Sequence, residues 1–222
     1  MARLGTLEPA VNTEGFHLGA EVRSSDGKDV GRLAHVLVSA EYGLRALVIK
    51  ESSRFSGAVF SPGSRLVVDE FIVPKEAVKN ATRDRIVLDL TAAEVRRLPP
   101  YLAYRERTES LAEGLEDTAG VLGSGPEVPN WLEQIANKGE GDLEITGGEN
   151  VMLGRTGKRL GTVQDVLFDD EQLVGVVLKP DGLFRAAVIL PRRFLDRSDD
   201  LALFASIDEN DVAQLKPFRP RT

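Results

Sequence analysis

The sequence predicts a mainly β protein made of two small β-barrels, each with a short C-terminal helix, joined by an acidic linker that contains a short helix. Three observations support this: an internal repeat, short aliphatic runs bounded by turn residues, and a central segment that concentrates the negative charge. A chain of 222 residues is long enough for two such domains. The expected division is a tail at residues 1–15, a first barrel at 16–104, a linker at 105–147, a second barrel at 148–218 and a tail at 219–222.

The internal repeat begins with two aliphatic runs. Residues 30–38 match residues 160–168 at an offset of 130, and the second position of both segments is a glycine, Gly31 or Gly161. The next run, residues 44–48, aligns with residues 174–178 at the same offset.

Farther along the chain, the matches continue at a second constant offset. Residues 71–74 match residues 188–191, and residues 94–100 match residues 211–217, both at an offset of 117. One length change of 13 residues in one loop relates the two offsets. This pattern predicts an internal duplication whose two copies fold alike and separately.

Each copy is predicted to consist mainly of strands joined by tight turns. Aliphatic residues bounded by turn residues are typical of half-buried strands. The Asp26-Gly27 pair predicts a hairpin turn, because both residues tolerate the positive φ angles that tight turns require. Thr156-Gly157 takes the same place in the second copy. The aliphatic runs of the first copy cover residues 30–38, 44–49, 66–73 and 86–90.

A short helix is predicted at the end of each copy. Thr91 lies three residues before Glu94, which is the spacing of a capping box, and Pro99 and Pro100 would end the helix. The corresponding residues of the second copy are Asp208, Asp211 and Pro217.

The order of these elements resembles the PRC-barrel family. The resemblance rests on a glycine-led second strand, a strand that ends in Val73-Pro74 or Leu190-Pro191, and a helix that ends near a proline. It covers residues 16–104 and 148–218, although the second copy lacks the Asp of the turn and the Tyr that follows the proline. The family includes the cytoplasmic domain of the photosynthetic reaction centre H subunit and the C-terminal domain of the ribosome maturation factor. Five or six short strands and one terminal helix in each copy predict a small closed or nearly closed barrel, because closure would leave no exposed sheet edge.

The segment between the copies is rich in Gly, Glu, Ser and Pro, so residues 109–148 are predicted to be largely mobile. Within it, Asn130 begins a capping-box pattern that predicts a short helix near residues 130–137. Such a helix either docks on a barrel or forms a linear motif for another protein. The apolar contact residues on one side of it would be Trp131, Leu132 and Ile135.

No residue pattern in the chain indicates catalysis, a cofactor or a metal. Cysteine is absent, and the two histidines, His17 and His35, have no metal-ligand spacing. We interpret them as structural or surface residues, although histidine with a carboxylate is also able to bind a metal or transfer protons. The acidic run at residues 169–171 is typical of a solvated hairpin tip, with divalent-cation binding as the alternative. Residues 154–158 lack the spacer of a phosphate-binding loop.

The loop that interrupts the repeat is the predicted partner-binding site. Arginine and aromatic residues are enriched at protein interfaces, and loops on a rigid scaffold commonly carry binding residues. In the alternative interpretation, the phenylalanines fold back over a barrel end. The candidate residues are Arg54, Phe55, Phe60 and Arg65, with Phe184 and Arg185 in the shorter loop of the second copy.

The distribution of net charge along the chain limits the kinds of binding partner that we expect. The net charge is +1 for residues 1–104, −8 for residues 105–150 and 0 for residues 151–222. Neither copy has the basic excess that follows a phosphate backbone, so bulk nucleic-acid binding is disfavoured and the chain has no strong nucleic-acid signature. No leader-like segment and no run of about 18 apolar residues is present, so we expect a cytoplasmic protein without a transmembrane segment.

The predicted function is therefore that of a non-catalytic adaptor built from tandem PRC barrels, with an unidentified protein partner. Two linked copies would gain affinity through effective concentration, and self-association is compatible with this organisation. Two alternatives stay open at this point. One is an RNA-processing or ribosome-assembly factor, and the other is a proton-handling or assembly subunit of a membrane-associated complex.

Overall fold

The computed structural model describes residues 15–52, 70–107, 131–139, 141–181, 186–199, 201–212 and 214–219. Within these ranges the chain is mainly β, as the sequence predicts. None of the helices found there has the length and apolar character that crossing a membrane requires. The first repeat contains β1 (Glu21–Arg23), β2 (Asp29–Val38), β3 (Leu44–Glu51), β4 (Glu70–Pro74), β5 (Val78–Ala81), β6 (Arg85–Leu88) and α1 (Ala92–Val95).

Three strands follow before the second repeat, which then repeats the elements of the first. The intervening strands are β7 (Leu102–Arg107), β8 (Trp131–Ala136) and β9 (Leu143–Thr146). The second repeat contains β10 (Asn150–Leu153), β11 (Arg159–Asp169), β12 (Gln172–Pro180), β13 (Val188–Pro191), β14 (Leu195–Ser198), β15 (Ala202–Ala205) and α2 (Glu209–Val212).

The two repeats have the same sheet topology, which confirms the predicted duplication. The first sheet has the strand order β4-β3-β2-β1-β6-β5 and the second has the order β13-β12-β11-β10-β15-β14. The β1–β6 pair and the β10–β15 pair are both parallel, and their registers correspond: Val22 lies opposite Ile86, and Val151 lies opposite Leu203. All four of these side chains are fully buried.

One part of the sequence alignment is wrong by one residue. In the first hairpin Leu44 lies opposite Val38, and in the second Leu173 lies opposite Phe168. Leu44 therefore corresponds to Leu173, at an offset of 129 and not 130. The first hairpin has one extra residue in its turn, and a one-residue slip would move side chains to the other face of the sheet. The structure accordingly buries Leu173, whereas Val174 is only half-buried.

The predicted capping box at Thr91 is confirmed. Thr91 Oγ1 accepts a hydrogen bond from Glu94 N at 3.4 Å, and Glu94 Oε2 accepts one from Thr91 N at 2.8 Å. Asp26 of the hairpin turn also accepts from Ala92 N at 2.9 Å, so the turn and the helix hold each other in place. Each helix is only about one turn long.

The expected closure of each sheet into a barrel is wrong. Among the described residues no backbone pairing joins β4 to β5 or β13 to β14 across the sheet ends. The outer edge of β4 instead bonds to the segment after α1: Ile72 N donates to Pro99 O at 3.1 Å and Tyr101 N donates to Glu70 O at 2.7 Å. The segment after α2 covers β13 in the same way. These edges are protected by short cross-connections and not by strand closure.

The expected helix near residues 130–137 is also wrong. The segment from Trp131 to Ala136 is strand β8, which pairs antiparallel with β7 over six residue pairs. Tryptophan and isoleucine favour strands, and the ladder with β7 satisfies the backbone groups that a helix would otherwise pair internally. The side chains of Trp131, Leu132 and Ile135 lie outside the described part of the structure.

The two repeats exchange their leading segments. Strand β9 immediately precedes the second repeat, yet it pairs with β2 of the first, with Ile145 opposite Val36. Residues that precede β1 pack reciprocally on β11 of the second repeat: the rings of Phe16 and Phe168 meet edge to face at 5.8 Å. Each crossing turns at a glycine with positive φ, Gly19 at 84° or Gly148 at 82°. Part of the segment expected to be linker is therefore a strand of the first sheet.

This exchange gives the molecule one shared core. The hairpin tips of the two repeats bond symmetrically: Leu44 N donates to Glu171 O, and Leu173 N donates to Tyr42 O, both at 2.8 Å. One cluster of buried apolar side chains includes Val36 and Ile145 together with residues of every strand of the second sheet. Separate folding of the two copies, as expected from the sequence, is thus wrong, because their cores are continuous.

Candidate functional site

The candidate loop residues from the sequence lie outside the described residues. This applies to all six: Arg54, Phe55, Phe60, Arg65, Phe184 and Arg185. The candidate functional site is formed by other parts of the chain.

A cavity of about 590 Å³ lies where β9 crosses from one repeat to the other. Strand β2 supplies one wall, β4 and the segment after α1 supply another, and the second repeat supplies the rest. Its charged and polar lining residues are His35, Glu70, Glu144, Thr146, Glu149 and Asp199.

His35 lies on β2, in the wall that this strand contributes to the cavity. Its ring lies 5.4 Å from the ring of Tyr101 in a stacked arrangement, and only 14% of its side chain is exposed. Nδ1 lies 2.7 Å from Thr146 Oγ1 and 3.3 Å from a carboxylate oxygen of Glu144. Nε2 is buried and lies 3.4 Å from Glu70, in an ion-pair geometry that makes no well-formed hydrogen bond. The nearby ring lowers the pKa of the Glu70 carboxyl.

Two further carboxylates contribute to the acidity of the cavity. Burial raises the pKa of Glu149 to about 7, against an opposing hydrogen bond that its Oε2 accepts from Thr146 N at 3.0 Å. Asp199 adds another carboxylate. Lys138 lies 3.2 Å from Glu144 and offsets part of this charge. The described residues contain no group of three or more histidines and acids arranged to hold a metal ion.

Two of the exposed residues that line the cavity are leucines. Leu102 is 37% exposed and Leu201 is 80% exposed, and these two are the exposed large hydrophobic residues of the described part of the chain. Both line the same cavity. An acidic interior bordered by exposed leucines is suited to a ligand that is cationic at one point and apolar beside it.

A second cavity, of about 510 Å³, occupies the position related to the first by the repeat. Asp165 stands where the first cavity has His35, and His17 stands where it has Thr146. His17 Nδ1 lies 2.6 Å from Asp165 Oδ2, and Leu18 N donates to the other oxygen of Asp165 at 3.0 Å. Glu21, Asp84, Arg32 and Arg83 also line this cavity, so the two arginines offset two of its three carboxylates and its acidic excess is smaller than that of the first.

The acidic hairpin tip at residues 169–171 joins the two repeats. Glu171 pairs with Lys75 of the first repeat, and its carbonyl oxygen accepts from Leu44 N. The three residues are exposed, as expected for a solvated hairpin tip, and the contacts of Glu171 in addition fix the position of the hairpin against its counterpart.

Sequence reasoning identified only His35 among the residues of the acidic cavity, and interpreted it as structural. The carboxylates lie in four different segments, and no local motif joins them. A comparison of the two repeats is the one sequence signal for these carboxylates. Each of them corresponds to a neutral residue in the other repeat. The pairs are Glu70 and Ala187, Glu144 and Gly15, Glu149 and Ala20, and Asp199 and Thr82.

Comparison with models of known protein families finds no match to this chain, and comparison with curated proteins finds none either. The geometry of the cavity is therefore the basis for the proposed function.

Glu149→Gln should remove a pH dependence of stability. Because the pKa of Glu149 is raised from 4.5 to about 7 in the folded protein, its stabilising effect is complete below pH 4.5 and is lost as the pH rises through about 7. With a discount for partial exposure, we expect the variant to exceed the wild type by about 1–2 kcal/mol at about pH 8.5 and to equal it near pH 4.5. Urea unfolding at both pH values measures this; parallel pH profiles of the two proteins would contradict it.

Proposed function

We propose that this protein is a non-catalytic adaptor, related to the PRC-barrel family, that binds a protein partner at the acidic cavity between its repeats. The single observation that carries the proposal is the coincidence of the two exposed leucines with the cavity mouth. Exposed apolar side chains that share one cavity mark a contact site better than singly scattered ones, and central apolar contacts dominate protein interfaces.

The continuous core supports binding at this junction. The cavity walls come from both repeats, and β9 of the first sheet is held against the second repeat by a hydrogen bond that Glu144 N donates to Ser198 Oγ at 2.9 Å. A partner would therefore meet a preorganised surface, which reduces the entropy lost on binding. We place this adaptor in the cytoplasm as part of the same proposal.

Site-specific photo-crosslinking tests the adaptor function. A photo-reactive amino acid in place of Asn150, an exposed cavity residue, should give one discrete crosslinked partner in native lysate. The same group at Lys79, exposed on β5, serves as the matched control and should not give that product. Adding Leu201→Asp to the Asn150 version should abolish the product. The proposal fails if the product survives this substitution or forms equally from Lys79.

A second candidate function is that of a proton-handling or assembly subunit of a membrane-associated complex. The specific observation that favours it is His35 surrounded by carboxylates, with Glu149 titrating near neutral pH. In that case the crosslinked partner would be a membrane protein, and His35→Phe would lower its proton-coupled rate without preventing binding. Loss of binding with an unchanged rate per complex would reject this candidate. The RNA-processing alternative gains no support, because the carboxylates would repel phosphate.

A further inference from the structure

The duplication supplies an internal comparison for the acidic cavity. Both repeats build the same sheet, with the same registers, around corresponding positions. The second cavity has no carboxylate at any position that corresponds to Glu70, Glu144, Glu149 or Asp199. The fold therefore forms without these four acids.

The exposed leucines show the same asymmetry. The counterpart of Leu201 is Asp84 and the counterpart of Leu102 is Arg219, and both counterparts are exposed polar residues. The first repeat has the same fold with a polar residue at the position of Leu201, and the second has it with a polar residue at the position of Leu102, so the fold does not require exposed leucines there. This second observation is independent of the carboxylates, and it marks the same cavity for contact with another molecule.

The charge of the cavity identifies the chemistry of that molecule. Four carboxylates line the cavity with His35, and Lys138 pairs with one of them, so negative charge remains even when both His35 and Lys138 are cationic. Burial raises the pKa of Glu149, and the ammonium group of Lys138 lies against Glu144. A ligand cation at this place would favour the charged form of Glu149.

We propose that the cavity receives an arginine side chain from an extended basic segment of a protein partner. A guanidinium group presents several N–H donors in one plane, which suits a site where carboxylates converge from different segments, and it is less strongly hydrated than an ammonium group. Its aliphatic stem, or an apolar neighbour in the partner, would contact Leu102 and Leu201. A volume of about 590 Å³ has room for the side chain together with part of the adjoining peptide. This inference rests on the proposed adaptor function.

Calorimetric titration of the full chain with the peptide acetyl-Leu-Arg-Leu-amide tests the inference. We expect saturable binding, and at least about tenfold weaker binding of the same peptide with citrulline, a neutral isostere, in place of arginine. The double variant Glu144→Gln/Glu149→Gln should also bind the arginine peptide at least about tenfold more weakly. Asp84→Asn, in the second cavity, is the matched control and should leave the affinity unchanged. The thermal transition of each variant establishes that it is folded.

Three outcomes would overturn the inference: no saturable binding of the arginine peptide, equal binding of the citrulline peptide, or undiminished binding by the folded double variant. Failure here is distinguishable from failure of the adaptor function. If the crosslink from Asn150 persists and still depends on Leu201 while the peptide does not bind, the partner uses the cavity without an arginine. If the peptide binds and no crosslink forms, the cation site stands and the adaptor proposal falls.

Discussion

Replacing Ile145 with alanine is expected to lower the free energy of unfolding by about 2–5 kcal/mol, the usual cost of truncating a fully buried aliphatic side chain. Ile145 is 0% exposed and lies on β9, opposite Val36 of the first repeat. Because this strand leads directly into the second repeat and its side chain belongs to the shared core, both repeats should lose stability together. Urea unfolding gives the change in free energy. Hydrogen exchange measured separately for β3 and β12 gives its distribution between the repeats.

Leu201→Ala is the matched control for Ile145→Ala. Its side chain is 80% exposed, so the change in unfolding free energy should stay within about 0.5 kcal/mol. Faster exchange in β3 alone, with β12 unaffected, would show that the repeats unfold independently and would contradict a shared core.

Alanine at Gly31 or Gly161 is expected to cost more than about 3 kcal/mol each, at the upper end of overpacking effects. A Cβ atom at Gly31 would lie 2.0 Å from the backbone oxygen of Lys50, and one at Gly161 would lie 2.1 Å from that of Lys179. In both cases the obstruction is the backbone of the neighbouring strand, which cannot move away as a flexible side chain would. Chemical unfolding of the two variants should give similar losses, because the two glycines correspond in the repeat.

Gly147→Ala provides the control for these substitutions. A Cβ atom there would meet Leu18 at 3.7 Å, an ordinary van der Waals distance, so we expect a change within about 0.5 kcal/mol. If the losses at Gly31 and Gly161 were no larger than at Gly147, the close strand approach would not be the reason for glycine at those positions.

The exchange of leading segments explains why the repeats form one unit. A duplicated chain whose copies paired only with themselves would have two cores and one connection. Here β9 adds a strand to the first sheet, and residues 16–18 pack on the second, so each repeat takes part of its contacts from the segment that leads into the other. The acidic cavity lies at one of these two crossings, and the His17–Asp165 pair occupies the other. The two cavities thus lie at corresponding positions of the repeat but are lined by different charged side chains.

The candidate site was only partly predictable. His35 was visible in the sequence as a histidine opposite Asp165 in the repeat, but its partner Thr146 is 111 residues away. The predicted alignment was also wrong by one residue in the third strand, since turn length is not apparent from aliphatic pattern alone. The difference in acidity between the two cavities became apparent once the paired registers showed which positions correspond.

The sequence by itself determined the repeated order of strands, the Asp26-Gly27 turn and the capping box at Thr91. These depend on the preferences of a few adjacent residues, which act wherever the segment lies. Only the tertiary structure decided that β9 joins the first sheet, that residues 131–136 form a strand, and that four carboxylates line one cavity with His35. Backbone pairing between distant segments satisfies hydrogen bonds and buries apolar surface that neither segment satisfies or buries alone, so local preference does not determine it.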